Sequence, residues 1–218
     1  MAGGVVLNCV ANARVLRDTD YDSIWIPPCA SDSGAPFGSA LWHYHQMLGG
    51  PRTYQLTHAF HGIGYSESEI AEALRRSGVV YQRLTKQELT HQVAKDLAAG
   101  RIVGWFEGRP EVGPRALGNR SILADPRDVC IKEKLNSRVK LRAWFRPFAP
   151  AILEERVSEF LEIEQAVPFM TMAPRVRAGK AREIVHDSVA APVQLNVVFQ
   201  AITVRWRNDA AEPQTVLN

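Results

Sequence analysis

The chain has 218 residues, 46% of them apolar and 22% charged, an ordinary globular composition for one large domain or two small ones. Its apolar runs, such as residues 24–28 and 197–204, fall far short of the ~20 residues that a membrane helix needs, so no membrane contact is expected and the expected location is cytoplasmic. A net charge of +3 argues only weakly for nucleic acid, and the 3 cysteines, Cys9, Cys29 and Cys130, form no C-x-x-C pair, which excludes a disulfide framework and a zinc knuckle and reads as buried free thiols.

The opening residues Met1 to Asn8 lack the basic start and long apolar stretch of a secretory signal. Gly3-Gly4 predicts a turn, residues 8–16 a helix, residues 23–26 a short apolar strand, and residues 38–48 a helix ended by Gly49-Gly50-Pro51. Residues 51–56 are the expected linker between a first unit, 1–50, and a second, 57–204. Ser66 and Glu69 form a capping box ahead of Ile70, Ala73 and Leu74, and this helix should stop at Ser77-Gly78. Residues 79–84 then read as a strand. Thr85 with Glu88 repeats the capping box before Leu89, Val93 and Leu97, closed by Gly100, and residues 102–106 read as a buried strand. Alternating helix and strand make the expected fold class α/β, or α+β. Beyond residue 179 only 193–204 is apolar enough for strands, and 205–218 reads as a divergent tail.

Charge is concentrated in one segment. Residues 101–146 hold 11 Arg and Lys against 5 acids, a local excess of +6, while the remainder of the chain is negative. Within it Gly104, Gly108, Gly113 and Gly118 surround Arg109, Arg115 and Arg120. Glycine lets backbone amides approach a ligand closely, and arginine offers a planar fork for two phosphate oxygens, so the segment reads as a phosphate cradle. A second cluster follows in Lys132, Lys134, Lys140, Arg142 and Arg146. On a helix, Lys132 and Asn136 would share a face, and Arg142 and Arg146 would project together from the next turn. Most Lys and Arg are solvated surface charge, but Arg115, Arg120 and Arg146 sit among Gly, Pro, Phe and Leu, a poor place for charges without a partner.

Glu111-Val-Gly-Pro-Arg-Ala-Leu-Gly-Asn-Arg-Ser-Ile-Leu-Ala-Asp-Pro-Arg127, with Leu135-Asn136, Val139-Lys140-x-Arg142 and Phe145-Arg-Pro-Phe-Ala-Pro150, resembles the C-terminal domain of the nodulation-protein and antibiotic O-carbamoyltransferase family. That resemblance implies a YrdC-like mixed sheet with helices, in which carbamoyl phosphate and ATP form carbamoyladenylate and the carbamoyl group passes to a hydroxyl of a sugar, aminoglycoside or polyketide. It further implies that Arg115, Lys140 and Arg146 are catalytic carbamoyl-phosphate ligands, with Arg120, Ser121 and Arg142 as supporting substrate contacts. Residues 3–8 and 30–35 are similar to the last stretch of the family's other domain, an ATPase-like fold of the actin and Hsp70 type. There the resemblance assigns Gly3, Gly4 and Asn8 to nucleotide phosphates and Asp32 to a catalytic iron. The family's H-x-x-x-H motif has no match here, and His43-x-His45 and His58-x-x-His61 read as structural or solvent-facing. An arginine of a later family motif is also missing, the nearest match being His186 to Gln194. The chain is therefore expected to be part of the family's length, with a homodimer as an expected assembly. The alternative expectation is a catalytically incomplete YrdC-like module that binds an anion or, on a basic concave face, RNA.

Overall fold

The computed structural model describes residues 1–180 and the backbone of a short strand at Ile202–Val204. Helix α1 spans Cys9–Asp18, α2 Ala35–Trp42, α3 Glu67–Ser77, α4 Lys86–Ala98, α5 Ile131–Lys134 and α6 Val157–Phe160. Strand β1 (Val103–Phe106) pairs antiparallel with β2 (Arg120–Leu123), and β3 (Ala151–Leu153) pairs parallel with β4 (Ile202–Val204). Helices mixed with small sheets agree with the expected α/β class. The expected motif at 186–194 and the tail at 205–218 lie outside the described residues.

Local chemistry sets the helix ends. Asn8 caps α1 by accepting the Ala11 amide at 3.1 Å. Both expected capping boxes form: Ser66 and Glu69 open α3, Thr85 and Glu88 open α4, and Gly78 closes α3 in the left-handed region. The helix expected at 38–48 starts earlier, at Ala35, and its last residues, His43–Met47, widen into a π-type turn in which Leu48 N–H donates to His43 O at 3.1 Å.

Two expected strands are absent. Residues 23–26 are extended, with Ile24 and Ile26 buried and Trp25 exposed, but the Ile24 backbone is paired by a side chain. Its N–H donates to Gln165 Oε1 at 3.0 Å, and its carbonyl accepts Gln165 Nε2–H at 2.9 Å. Residues 79–84 find no partner segment, and Val80 stands fully in solvent. A strand needs a ladder to satisfy its backbone, and an apolar run without one remains an extended connector. The strand expected to be buried at 102–106 forms as β1 with one face covered and Phe106 exposed. Among the cysteines, Cys9 and Cys29 are buried as expected, but Cys130 is exposed.

The main core joins Val6, Ile24, Ile26 and Ala30 to Val157, Leu161, Ile163, Val167 and Met172, so residues on both sides of the 51–56 stretch share one apolar cluster. Fully buried side chains such as Leu161 and Val167 each contribute roughly 1.5–3 kcal/mol of transfer free energy. Buried Asn12 fastens α1 to the far segment by donating to Val6 O at 2.7 Å and Thr171 O at 2.8 Å, and Ala173 N–H adds a bond to Cys9 O at 3.0 Å. A second cluster, Ala59, Leu117, Ala149 and Phe169, lies beneath the cationic segment. No helix among the described residues is long and apolar enough to cross a membrane.

Candidate anion-binding site

The first cationic loop, residues 111–120, is wound around one carboxylate. Glu111 is buried, and its Oε1 accepts the amides of Leu117 at 2.7 Å, Asn119 at 2.8 Å and Arg120 at 3.3 Å. Its Oε2 accepts Arg120 Nε–H at 2.9 Å, and Arg120 Nη2–H reaches the Glu111 carbonyl at 3.2 Å. Burial alone would push this carboxyl up, but the guanidinium and the amides outweigh it and hold its pKa below the usual range. Ser121 is buried on β2, and its Oγ accepts the Gly118 amide at 3.2 Å, closing the loop from below. Gly113 sits at φ +109°, where a Cβ would come within 2.3 Å of Pro28 O, so the loop packs directly on the first segment. Opposite, Val112 N–H donates to Ala59 O at 2.7 Å and Gly62 N–H to Pro110 O at 2.9 Å.

The second loop, residues 135–147, is wound around one carboxamide. Asn136 is 1% exposed; its Nδ2–H donates to Trp144 O at 3.2 Å and Arg146 O at 3.0 Å, while its Oδ1 accepts Arg142 Nε–H at 2.7 Å. Arg142 also donates from Nη2 to Pro147 O at 3.2 Å and lies over the Phe148 ring at 4.5 Å. Burial first, and then the charge of Arg146, lowers the Arg142 pKa. Helical geometry ends in a π-type turn at Leu135–Val139, and Leu141 turns into the left-handed region at φ +46°. Arg142 and Arg146 therefore do not project from a helical turn as expected; they lie on irregular chain that Asn136 holds.

The six expected substrate contacts divide into two sets. Arg120, Ser121 and Arg142 each hydrogen-bond within the protein. Arg115, half-buried, and Lys140 and Arg146, both exposed, have side chains with no hydrogen bond or ion pair among the described residues. Among neighbouring cations, Arg101, Arg127 and Lys134 pair with Asp96, Asp125 and Asp128, whereas Arg109, Lys132 and Arg138 likewise have no counter-ion among the described residues. Leu117 of the first loop and Ala149, just beyond the second, pack in the same small cluster, which seats both loops on one support.

The remaining expected ligands stand apart. Gly3 and Gly4 open onto free space, with nothing within 4 Å of an added Cβ. The polar groups beside that space are engaged, because Gly3 N–H donates to Ala30 O at 2.6 Å and Asn8 caps α1. Asp32 is exposed at the start of a 3-10 turn, and no group of 3 or more His, Cys, Asp or Glu among the described residues could hold a metal ion. The described residues thus do not fit an iron site by themselves. His45 Nδ1 meets Gly50 O at 2.9 Å, and the His58 and His61 rings stack at 4.7 Å beside Tyr54, as structural histidines would.

Glu111 and Asn136 were visible in the sequence only as parts of the motif. The available signal was local: each is a polar residue in a stretch whose neighbours close onto apolar packing, and a buried polar group must be satisfied by something. What it satisfies here is the backbone of a cationic loop.

Comparison with known proteins gives these loops a context. The model for the carbamoyltransferase C-terminus matches residues 94–205, and that for the carbamoyltransferase N-terminus matches residues 1–41. An uncharacterised protein of Synechocystis sp. is 42% identical over 183 residues, covering 81% of this chain and 30% of that protein. Nodulation protein NolO of Bradyrhizobium diazoefficiens is 40% identical over 187 residues, 83% of this chain and 34% of its own length. A 3'-hydroxymethylcephem-O-carbamoyltransferase of Amycolatopsis lactamdurans is 31% identical over 196 residues, 89% of this chain and 36% of that enzyme. The chain spans about a third of the length of these curated relatives.

Proposed function

The chain belongs to the carbamoyltransferase family, and from that premise we propose that it carries the carbamoyl-phosphate-binding part of an O-carbamoyl transfer, with Arg115, Lys140 and Arg146 as the cations that receive the anion. The observation carrying this reading is that these side chains have no counter-ion among the described residues, on loops built around Glu111 and Asn136. Cations held on a shaped backbone without a protein partner suit a ligand that brings the negative charge itself.

Chemically, the dianionic phosphate of carbamoyl phosphate repels an incoming nucleophile. Arg115 and Arg146 offer planar forks to its oxygens and Lys140 a point charge, so they lower that repulsion and fix the direction of the carbamoyl carbon. ATP is the expected co-substrate, with Gly3 and Gly4 as the residues proposed to lie against its phosphates. The acceptor class is a hydroxyl-bearing small molecule, a reading supported by the hydroxymethyl acceptor in the name of the cephem relative. No step is assigned to iron.

Isothermal titration of the chain with carbamoyl phosphate tests the reading. Saturable binding is expected, weakened about tenfold or more by Arg146→Ala or Arg115→Ala, the usual scale for losing a charge-assisted contact. Binding unchanged in both variants overturns the assignment.

RNA binding is the second reading, favoured by one observation: Trp144 and Phe145 are exposed on the second loop, and Lys132 lies 5.9 Å over the Trp144 ring. Steeply salt-dependent RNA binding with no response to carbamoyl phosphate would replace the first reading with this one.

A further inference from the structure

Asn136 is not among the ligand contacts of the reading above, yet it is among the most completely buried side chains of the described residues. Its carboxamide reaches three points of the loop that carries Lys140 and Arg146: the carbonyls of Trp144 and Arg146 and the guanidinium of Arg142. Its own carbonyl accepts Arg142 N–H at 3.0 Å, and Leu135 O accepts Lys140 N–H at 2.8 Å. Between the two anion-facing cations the chain passes through Leu141, an exposed leucine at φ +46°. A left-handed leucine is unfavourable on its own, so the conformation persists because its surroundings impose it.

We propose that Asn136 is a positioning residue: it locks residues 140–146 in a strained turn that aims Lys140 and Arg146 at the anion, and Arg142 is the internal strut of that turn and does not touch ligand. This rests on the reading of Arg146 as a carbamoyl-phosphate contact. The chemistry requires an amide at 136. Two donors must face two carbonyls while one acceptor faces a guanidinium, and among the short side chains only asparagine supplies both at that reach. Aspartate would set an oxygen against the carbonyls, and alanine would leave two part-buried carbonyls and the Arg142 Nε–H without their partners. Arg142 has Nε and Nη2 on protein oxygens and its guanidinium over Phe148, which fixes the group against the loop itself.

The test titrates carbamoyl phosphate into the full chain and its variants, with thermal unfolding of each. Asn136→Ala is expected to weaken binding about tenfold, and adding Leu141→Gly, which removes the left-handed penalty, should recover about two- to fivefold of that loss. A purely structural role for Asn136 predicts no such rescue at position 141. Should Asn136→Ala fail to fold, the solvent-exposed position carries the test alone. Leu141→Ala should bind as the unaltered chain does, whereas Leu141→Val, whose branched Cβ tolerates the left-handed region worst, should bind about threefold more weakly or worse. Equal binding by the Ala and Val variants overturns the proposal, as does Asn136→Ala binding normally while Arg146→Ala does not. If Arg146→Ala itself binds normally, it is the functional reading that has failed.

Discussion

Arg120 donates from Nε to Oε2 of Glu111 at 2.9 Å, an ion pair in which the carboxylate is wholly buried and the guanidinium is 42% exposed. The pair sits at the base of the loop that presents Arg115, and the same carboxylate collects the amides of Leu117 and Asn119. Arg120, which the motif alone would assign to a phosphate, is an internal partner of the loop.

Removing that carboxylate should therefore unfold the loop before it affects chemistry. Glu111→Ala leaves the amides of Leu117, Asn119 and Arg120 without their acceptor and the half-exposed Arg120 guanidinium without its counter-ion, and should cost about 3–5 kcal/mol, read from denaturant unfolding. A loss below about 1 kcal/mol would show that the network contributes little.

The same group sets an acid limit. Its folded pKa lies below the unfolded value, so its contribution is fully present above the unfolded carboxyl pKa, about 4.3, and is lost as pH falls through the folded one. Comparing unfolding of the unaltered chain and Glu111→Gln across pH 7 to pH 3 should give a stability gap that is constant down to about pH 5 and shrinks below it. A gap that widens with acid would reverse the assignment.

Arg115 and Arg120 should part company under substitution. Arg115→Ala is expected to lower carbamoyl-phosphate affinity with little change in melting temperature, because its side chain has no partner among the described residues. Arg120→Ala should do the reverse in its main effect, lowering stability by about 2–4 kcal/mol through the orphaned carboxylate. Paired calorimetry and titration on the two variants would expose any exchange of roles.

Gln165 performs for residues 23–26 what a neighbouring strand would otherwise do. Gln165→Ala strips both backbone groups of Ile24 of their partners at the edge of the main core, and a loss of about 2–3 kcal/mol is expected. Hydrogen exchange at the Ile24 amide should accelerate more than at Leu97, which lies in α4 outside the main core.

Much of this architecture was legible in the sequence where the determinant is local. Ser66 with Glu69, Thr85 with Glu88, and Gly78 announce helix ends because the bonds that make a cap lie within a few residues. Residues 23–26 and 79–84 were misread because apolar runs report burial or stickiness, while a strand depends on a partner elsewhere in the chain. For Ile24 the partner is a glutamine 141 positions away, which no periodicity reveals. The site was legible as a concentration of Arg and Gly. Which cations face outward could not be read, since that depends on where Glu111 and Asn136 direct their bonds.

Gly113 against the carbonyl of Pro28 has a consequence for how this family can be recombined. Pro28 falls in the span matched by the N-terminal model and Gly113 in that matched by the C-terminal one, so the two regions meet backbone to backbone with no room for a single added carbon. A chimera drawing residues 1–41 from one relative and 94–205 from another would have to agree at this seam to within a few tenths of an ångström. Swaps that keep residues 24–30 and 110–118 from the same parent should yield soluble protein where swaps dividing them do not.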